Sequence, residues 1–184
     1  MSIQARRERE RAEREKLIVT AARELAESEG WDAVTTRRLA ELVEYSQPVL
    51  YSHFKGKDAI MAAVAVEGFA ALADELRAAV PSGMAAVAAA YTSFAERRPA
   101  LYDAMFSHAV DLPFASPAAP AALHAGFDAL ADAIRPHTGD DDLGLLTETF
   151  WAALHGLATL TRAGRLPRNA HDERLTILLS RFTR

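Results

Sequence analysis

The chain has 184 residues, half of them apolar, with 21 Lys/Arg against 25 Asp/Glu and no Cys. That supplies a sizeable core for one large domain or a small one joined to a medium one, and it excludes wholesale disorder. The missing Cys excludes disulfides, thiolate metal sites and Cys nucleophiles, and a net charge of −4 excludes a uniformly basic nucleic-acid coat.

The opening segment, MSIQARRERERAEREK, has no apolar run of the secretory kind. No later stretch reaches the ~20 apolar residues of a membrane span, so a cytoplasmic protein with no membrane partner is expected. Arg6, Arg7, Arg9, Arg11, Arg14 and Lys16 interleave here with Glu8, Glu10, Glu13 and Glu15. Such a run ordinarily marks a solvated helix laced by i,i+4 charge pairs. The competing reading is a basic arm that reaches for phosphate or a minor groove. Leu17, Ile18, Ala21, Ala22, Leu25 and Ala26 then repeat at helical spacing, and Gly30 stops the helix.

Two short helices follow. Thr35 is a good N-cap, with Val34 and Leu39 in the positions of a hydrophobic staple around it; Leu39, Leu42 and Val43 share one face. Ser46 is the second N-cap, with Tyr45 and Leu50 as its staple. Pro48 then falls in the first turn, where a missing N–H costs nothing. Only about three residues separate the two helices, so they meet at a sharp angle. A long helix is predicted over 57–80, then further helices over 83–97, 99–109, 118–135, 141–163 and 170–183, broken at prolines and glycines. No sustained period-2 alternation occurs, so the fold class is all-α: a three-helix head followed by an antiparallel helical bundle. The expected organisation is a head at 1–56, a linking helix at 57–80 and a second lobe at 81–184.

A helix, a tight turn and a second short helix form the helix-turn-helix arrangement, whose second helix enters the DNA major groove. That helix needs one apolar face for its support and one face that reaches bases and phosphates. Leu50 and Phe54, spaced i,i+4, supply the first. Gln47, Pro48, Val49, Tyr51, Ser52 and His53 remain outward or end-on. Gln47 suits an adenine edge, and Pro48 or Val49 a thymine methyl. Tyr51, His53, Lys55, Lys57 and the hydroxyls of Thr35 and Thr36 suit phosphate oxygens, with Arg37 and Ser46 completing the candidate DNA-binding set. Spacing alone leaves open that this is a packing motif of an ordinary helical protein.

The stretch from Leu17 to Ile60, about a quarter of the chain, resembles the N-terminal domain of TetR-type bacterial transcriptional regulators. The residues that carry the resemblance are Ala21–Ala22, Leu25, Gly30–Trp31, Val34–Thr35, Leu39–Ala40, Ser46, Leu50–Tyr51, His53–Phe54 and Lys57. The resemblance implies a two-fold dimer of all-α subunits with about nine helices each, and a second lobe holding a small-molecule pocket and the dimer interface. One departure stands out. Where the family's inter-helix turn usually has Gly, this chain has Glu44, which is strained if the turn demands φ > 0.

In the second lobe, Trp151, His155 and Gly156 resemble the Trp-His-Gly type of TetR C-terminal domain. The candidate effector-binding residues are Tyr102, Met105, Phe106, His108, Phe127, Trp151 and His155, a mix of apolar lining and polar tips that suits a small, mostly hydrophobic effector. Plain packing is the competing reading for these aromatics. By analogy with the family's intersubunit helix bundle, the candidate dimer seam is Phe150, Leu154, Leu157, Leu175, Leu178, Leu179 and Phe182.

No Walker A loop, GxGxxG, HExxH or GxSxG occurs, and the six His are scattered without metal spacing, so neither a catalytic role, a metal nor a cofactor is expected. Asp140–Asp142 reads as acid at a helix N-terminus. The expectation is a homodimeric, ligand-responsive repressor on a palindromic double-stranded operator. The alternative is an all-α protein-interaction or ligand-binding module whose head no longer binds DNA.

Overall fold

The computed structural model describes residues 2–106, 112–113 and 116–183. Among the described residues there are nine α-helices and no strand: α1 (Ile3–Glu29), α2 (Thr36–Leu42), α3 (Gln47–His53), α4 (Lys57–Ala79), α5 (Met84–Arg97), α6 (Pro99–Phe106), α7 (Ala121–Ile134), α8 (Leu143–Arg162) and α9 (His171–Phe182). The all-α expectation holds, and most helix ends fall within a residue or two of those predicted. α7 starts later than predicted, after Pro120, since a proline opens a helix but cannot continue one, and the predicted end of α6 at 109 lies outside the described residues.

The helices cluster into two compact units, one of Met1–Gly68 with Arg98–Pro113 and the other of Phe69–Arg97 with Phe114–Arg184. In the first, Ile18, Ala22 and Leu25 of α1 are buried with Trp31, Val34, Leu39, Leu50, Ile60 and Val64. Both expected staples form in part: Val34 and Leu39 are fully buried around Thr35, and Leu50 is fully buried behind Ser46. Leu42, placed on the same buried face by its spacing, is instead 55% exposed, because the face that packs is centred on Leu39, Ala40 and Val43 and Leu42 lies to one side of it. The side of α4 at Gly68 faces α6. A Cβ there would sit 2.7 Å from Met105 Sδ and 2.9 Å from Leu101 Cδ1, so a larger residue would require those side chains to shift.

In the second unit, α5 and α7 pack on α8, and α9 lies against α5 and α8. Tyr91, Phe94, Ile134, Phe150 and Leu154 make its centre, and buried Ala88, Ala95, Ala133 and Ala158 let the helix axes come close. Asp142 caps α8 by accepting the Leu145 N–H at 2.9 Å, which is the role its acidic cluster suggests.

Candidate nucleic-acid interface

The geometry of the head is set by three local devices. Thr35 caps α2, its hydroxyl accepting the Arg38 N–H at 3.2 Å. At the other end Tyr45 N–H donates to Ala40 C=O at 2.9 Å and Glu44 N–H to Glu41 C=O at 3.3 Å, the two bonds of a Schellman closure. That closure needs a left-handed residue between them, and Glu44 supplies it at φ 57°, the one non-Gly residue with positive φ among those described. The chain uses the same closure after α8, where Arg165 N–H bonds to Leu160 C=O and Gly164 takes φ 67°. The departure at Glu44 therefore leaves the turn intact and adds strain. Ser46 then opens α3 with extended backbone and Pro48 in the first turn, although its hydroxyl makes no cap bond.

On α3, Leu50 is fully buried while Gln47, Pro48, Val49, Tyr51 and Ser52 are exposed. Thr36 Oγ1 lies 3.3 Å from the Tyr51 hydroxyl, so two of the candidate residues come together from the two helices. Thr35, Arg37, Ser46 and Lys55 are also exposed. Arg37 pairs with Glu41 at 3.1 Å on open surface, a contact it can exchange for another anion at little cost. A second pair, Arg38 with Glu29, ties α2 to the end of α1. The hydrogen bond from Arg38 holds the Glu29 carboxyl below its ordinary 4.5.

Two candidates are placed otherwise. The His53 side chain is only 6% exposed, and its Nδ1 lies 3.4 Å from Glu15 Oε1 on α1. The ammonium of Lys57 donates to the Trp31 carbonyl and is partly buried. Both side chains are therefore engaged within the head. His53 links the end of α3 to α1, and Lys57 links the start of α4 to the Trp31–Ala33 turn.

Sequence spacing had no means of finding Glu27. Its carboxylate accepts Ala100 N–H at 3.2 Å and Leu101 N–H at 2.9 Å, satisfying the first-turn donors of α6 from 73 residues away. Trp31 Nε1 donates to Ala100 C=O at 2.8 Å beside it. The start of α6 is thus fastened to the end of α1 and, through Trp31 and Lys57, to the start of α4.

The effector candidates divide between the units. Tyr102 and Met105 on α6 are about 1% exposed, and of the three α6 candidates only Phe106 keeps partial exposure. Tyr102 stacks on Phe106 with ring centroids 4.7 Å apart. His108 lies outside the described residues. In the second unit Trp151 Nε1 donates to the Tyr91 hydroxyl at 2.9 Å, and half-buried His155 lies on the same side of α8. Phe127 on α7 is also half-buried. Burial first, and the Arg162 charge second, lower the His155 imidazole from its ordinary 6.5.

The seam candidates differ in their burial within the subunit. Phe150 and Leu154 are fully buried and Leu175 nearly so, and the Phe182 ring meets Phe150 edge-on with centroids 5.2 Å apart. Phe150 and Leu154 fill the core of this subunit. Leu157, Leu178, Leu179 and Phe182 are half-buried. The apolar side chains that α8 and α9 do expose are Leu145 at 65%, Leu160 at 45% and Ile177 at 60%.

Among the described residues no helix is long and apolar enough to cross a membrane, and no cluster of His, Asp and Glu is placed to hold a metal. The fold and the exposed α3 face define a helix-turn-helix protein with a second helical unit. Residues 18–64 match the bacterial regulatory proteins of the tetR family, and residues 84–182 match the tetracyclin repressor-like C-terminal domain. The chain belongs to the TetR family of regulators; residues 3–17 precede both matches. It is 37% identical over 95 residues to the HTH-type transcriptional regulator YobS of Bacillus subtilis, a match covering 49% of this chain and 50% of that protein. A protein of unknown function from Rhodococcus sp. RHA1 shares the fold with a TM-score of 0.75 and 27% identity, over 91% of this chain and 92% of that one. A TetR point variant from Acinetobacter baumannii AYE, solved in complex with minocycline, superposes with a TM-score of 0.60 at 18% identity, over 90% and 91% of the two chains.

Proposed function

We propose that the chain is a ligand-responsive transcriptional regulator that binds a palindromic operator as a homodimer. It acts as a repressor and leaves DNA when a small, mostly hydrophobic effector binds. The observation that carries this reading is the division of α3. Leu50 is fully buried, whereas Gln47, Pro48, Val49, Tyr51 and Ser52 all point to solvent beside Thr36 and Lys55. A helix so short gains nothing from presenting a tyrosine, a valine and a proline to water unless that face meets a partner.

In this reading residues 1–56 are the head, 57–80 the link, and 81–184 the effector and dimer lobe. The α6 helix is the part of that lobe fastened to the head through Glu27 and Trp31. An effector that binds better to the DNA-incompetent arrangement shifts the population toward it, and any change in α6 is felt by α1 and α4. Tyr91, Trp151, His155 and Phe127 supply aromatic lining with polar tips in the second unit. The dimer seam is the outer side of α8 and α9. Leu145, Thr149, Ala152, Gly156 and Leu160 recur at i+3/i+4 spacing opposite the buried Phe150–Leu154 face, with Ile177 exposed on α9. A Cβ at Gly156 would meet nothing in its own subunit, which leaves room for the close approach of a second copy.

Genomic DNA selection with the purified chain, followed by binding across a salt series, tests the proposal. A palindrome bound by a dimer, with affinity falling steeply as salt rises, is expected. Gln47→Ala should relax preference at one base position by about 1–3 kcal/mol. Enrichment of no site by a well-folded dimer would leave the interaction-module reading.

A further inference from the structure

We infer that the exposed N-terminal half of α1 is a second DNA-contacting element, in which Arg7, Arg11 and Arg14 track the phosphate backbone beside the groove entered by α3. The inference rests on the DNA-binding reading above. These arginines recur at i, i+4, i+7, and the same stripe continues through Ile18, Ala22 and Leu25, which are buried in the head. The stripe therefore leaves the head on the side of α1 that packs inward. Its direction relative to α3 is fixed by one contact chain. Glu15 Oε1 accepts from Arg11 Nε at 2.8 Å and lies 3.4 Å from Nδ1 of His53, the last residue of α3.

Pairing within the helix does not explain the stripe. Glu10 pairs with Arg6 at 3.7 Å and Glu15 with Arg11, while Arg7 and Arg14 are exposed and form no ion pair among the described residues. Arg7 and Arg11 are like charges at i,i+4, which weakens an isolated helix by about 0.2–0.5 kcal/mol. A face that existed only to be solvated would alternate in sign along that row. At about 1.5 Å of rise per residue the three guanidinium stems span roughly 10 Å of helix axis. A DNA strand offers a phosphate about every 3.4 Å, so that length passes several of them. The stripe precedes residue 18, where the family match begins.

The test uses the full chain and its selected operator. Arg7→Gln with Arg14→Gln should lower the slope of log affinity against log salt by about 1.8 and leave base preference unchanged. Arg9→Gln with Lys16→Gln, on the other side of the helix, should leave the slope as it is. If the wild-type chain binds its operator and the Arg7/Arg14 variant keeps the full slope, this inference falls alone. An equal loss from the Arg9/Lys16 variant also overturns it, since the effect would then be net charge and not a stripe. A wild-type chain with no salt-dependent affinity for any duplex overturns both readings together.

Discussion

At the scale of single residues, the head is held in part by side chains whose chemistry would also suit DNA. Lys57 is the clearest case, since its ammonium is occupied by the Trp31 carbonyl. Lys57→Met should therefore destabilise the head by about 1–3 kcal/mol, the usual range for a hydrogen bond to a charged group. Its effect on the salt slope of DNA binding should be negligible, which urea unfolding and a binding titration separate. Glu44 is the opposite case, a side chain that gains nothing visible from its place. A left-handed L-residue costs about 1–2 kcal/mol, and glycine gives back part of that through the freer unfolded chain. Glu44→Gly should stabilise the protein by about 0.5–1 kcal/mol net, read as a higher urea midpoint with unchanged slope.

At the scale of elements, α8 carries two faces with different tasks. Its inner side holds Phe150 and Leu154, and the edge toward Tyr91 holds Trp151 and His155. Burial lowers the His155 pKa in the folded state from the 6.5 of the unfolded chain. Above that value both states carry a neutral imidazole, and the group has no effect on stability. As pH falls through it the unfolded chain takes up the proton first, so stability declines until the folded pKa is reached. Urea midpoints measured down through this window should fall, and His155→Gln should flatten the decline. A bound effector that packs on the imidazole should depress the pKa further and shift the decline to lower pH.

At the scale of the whole molecule, the proposed function depends on assembly. A single head covers one half-site, and a palindrome needs two heads at a set spacing of about 34–36 Å or a multiple of it. Leu160→Asp with Ile177→Asp places two charges on the exposed side of α8 and α9 while leaving the core intact. It should yield folded monomers by sedimentation, with operator affinity reduced at least a hundredfold. Leu154→Asp would instead bury an unpaired carboxylate and unfold the subunit, which separates seam from core.

Much of this protein is legible in one dimension. Helix starts at Thr35 and Ser46, stops at Gly30 and Gly164, and the apolar rows of α1, α3 and α8 follow from capping, backbone freedom and a 3.6-residue period. All of these act over a few residues. The division of α3 into a buried Leu50 and an exposed Gln47–Ser52 face follows from that same period. What periodicity cannot say is which neighbour covers a buried face. Phe150 and Leu154 read equally well as a seam between copies or as a core, and only packing assigned them to the core and left Leu145, Leu160 and Ile177 outside. The same limit applies to polar groups, because a side chain's partner is set by where distant helices cross. His53 and Lys57 found Glu15 and the Trp31 carbonyl, and Glu27 found the start of α6 across 73 residues. Local chemistry determined which helices exist and which faces are apolar; tertiary contact alone decided which charges were spent inside the head and which remain exposed.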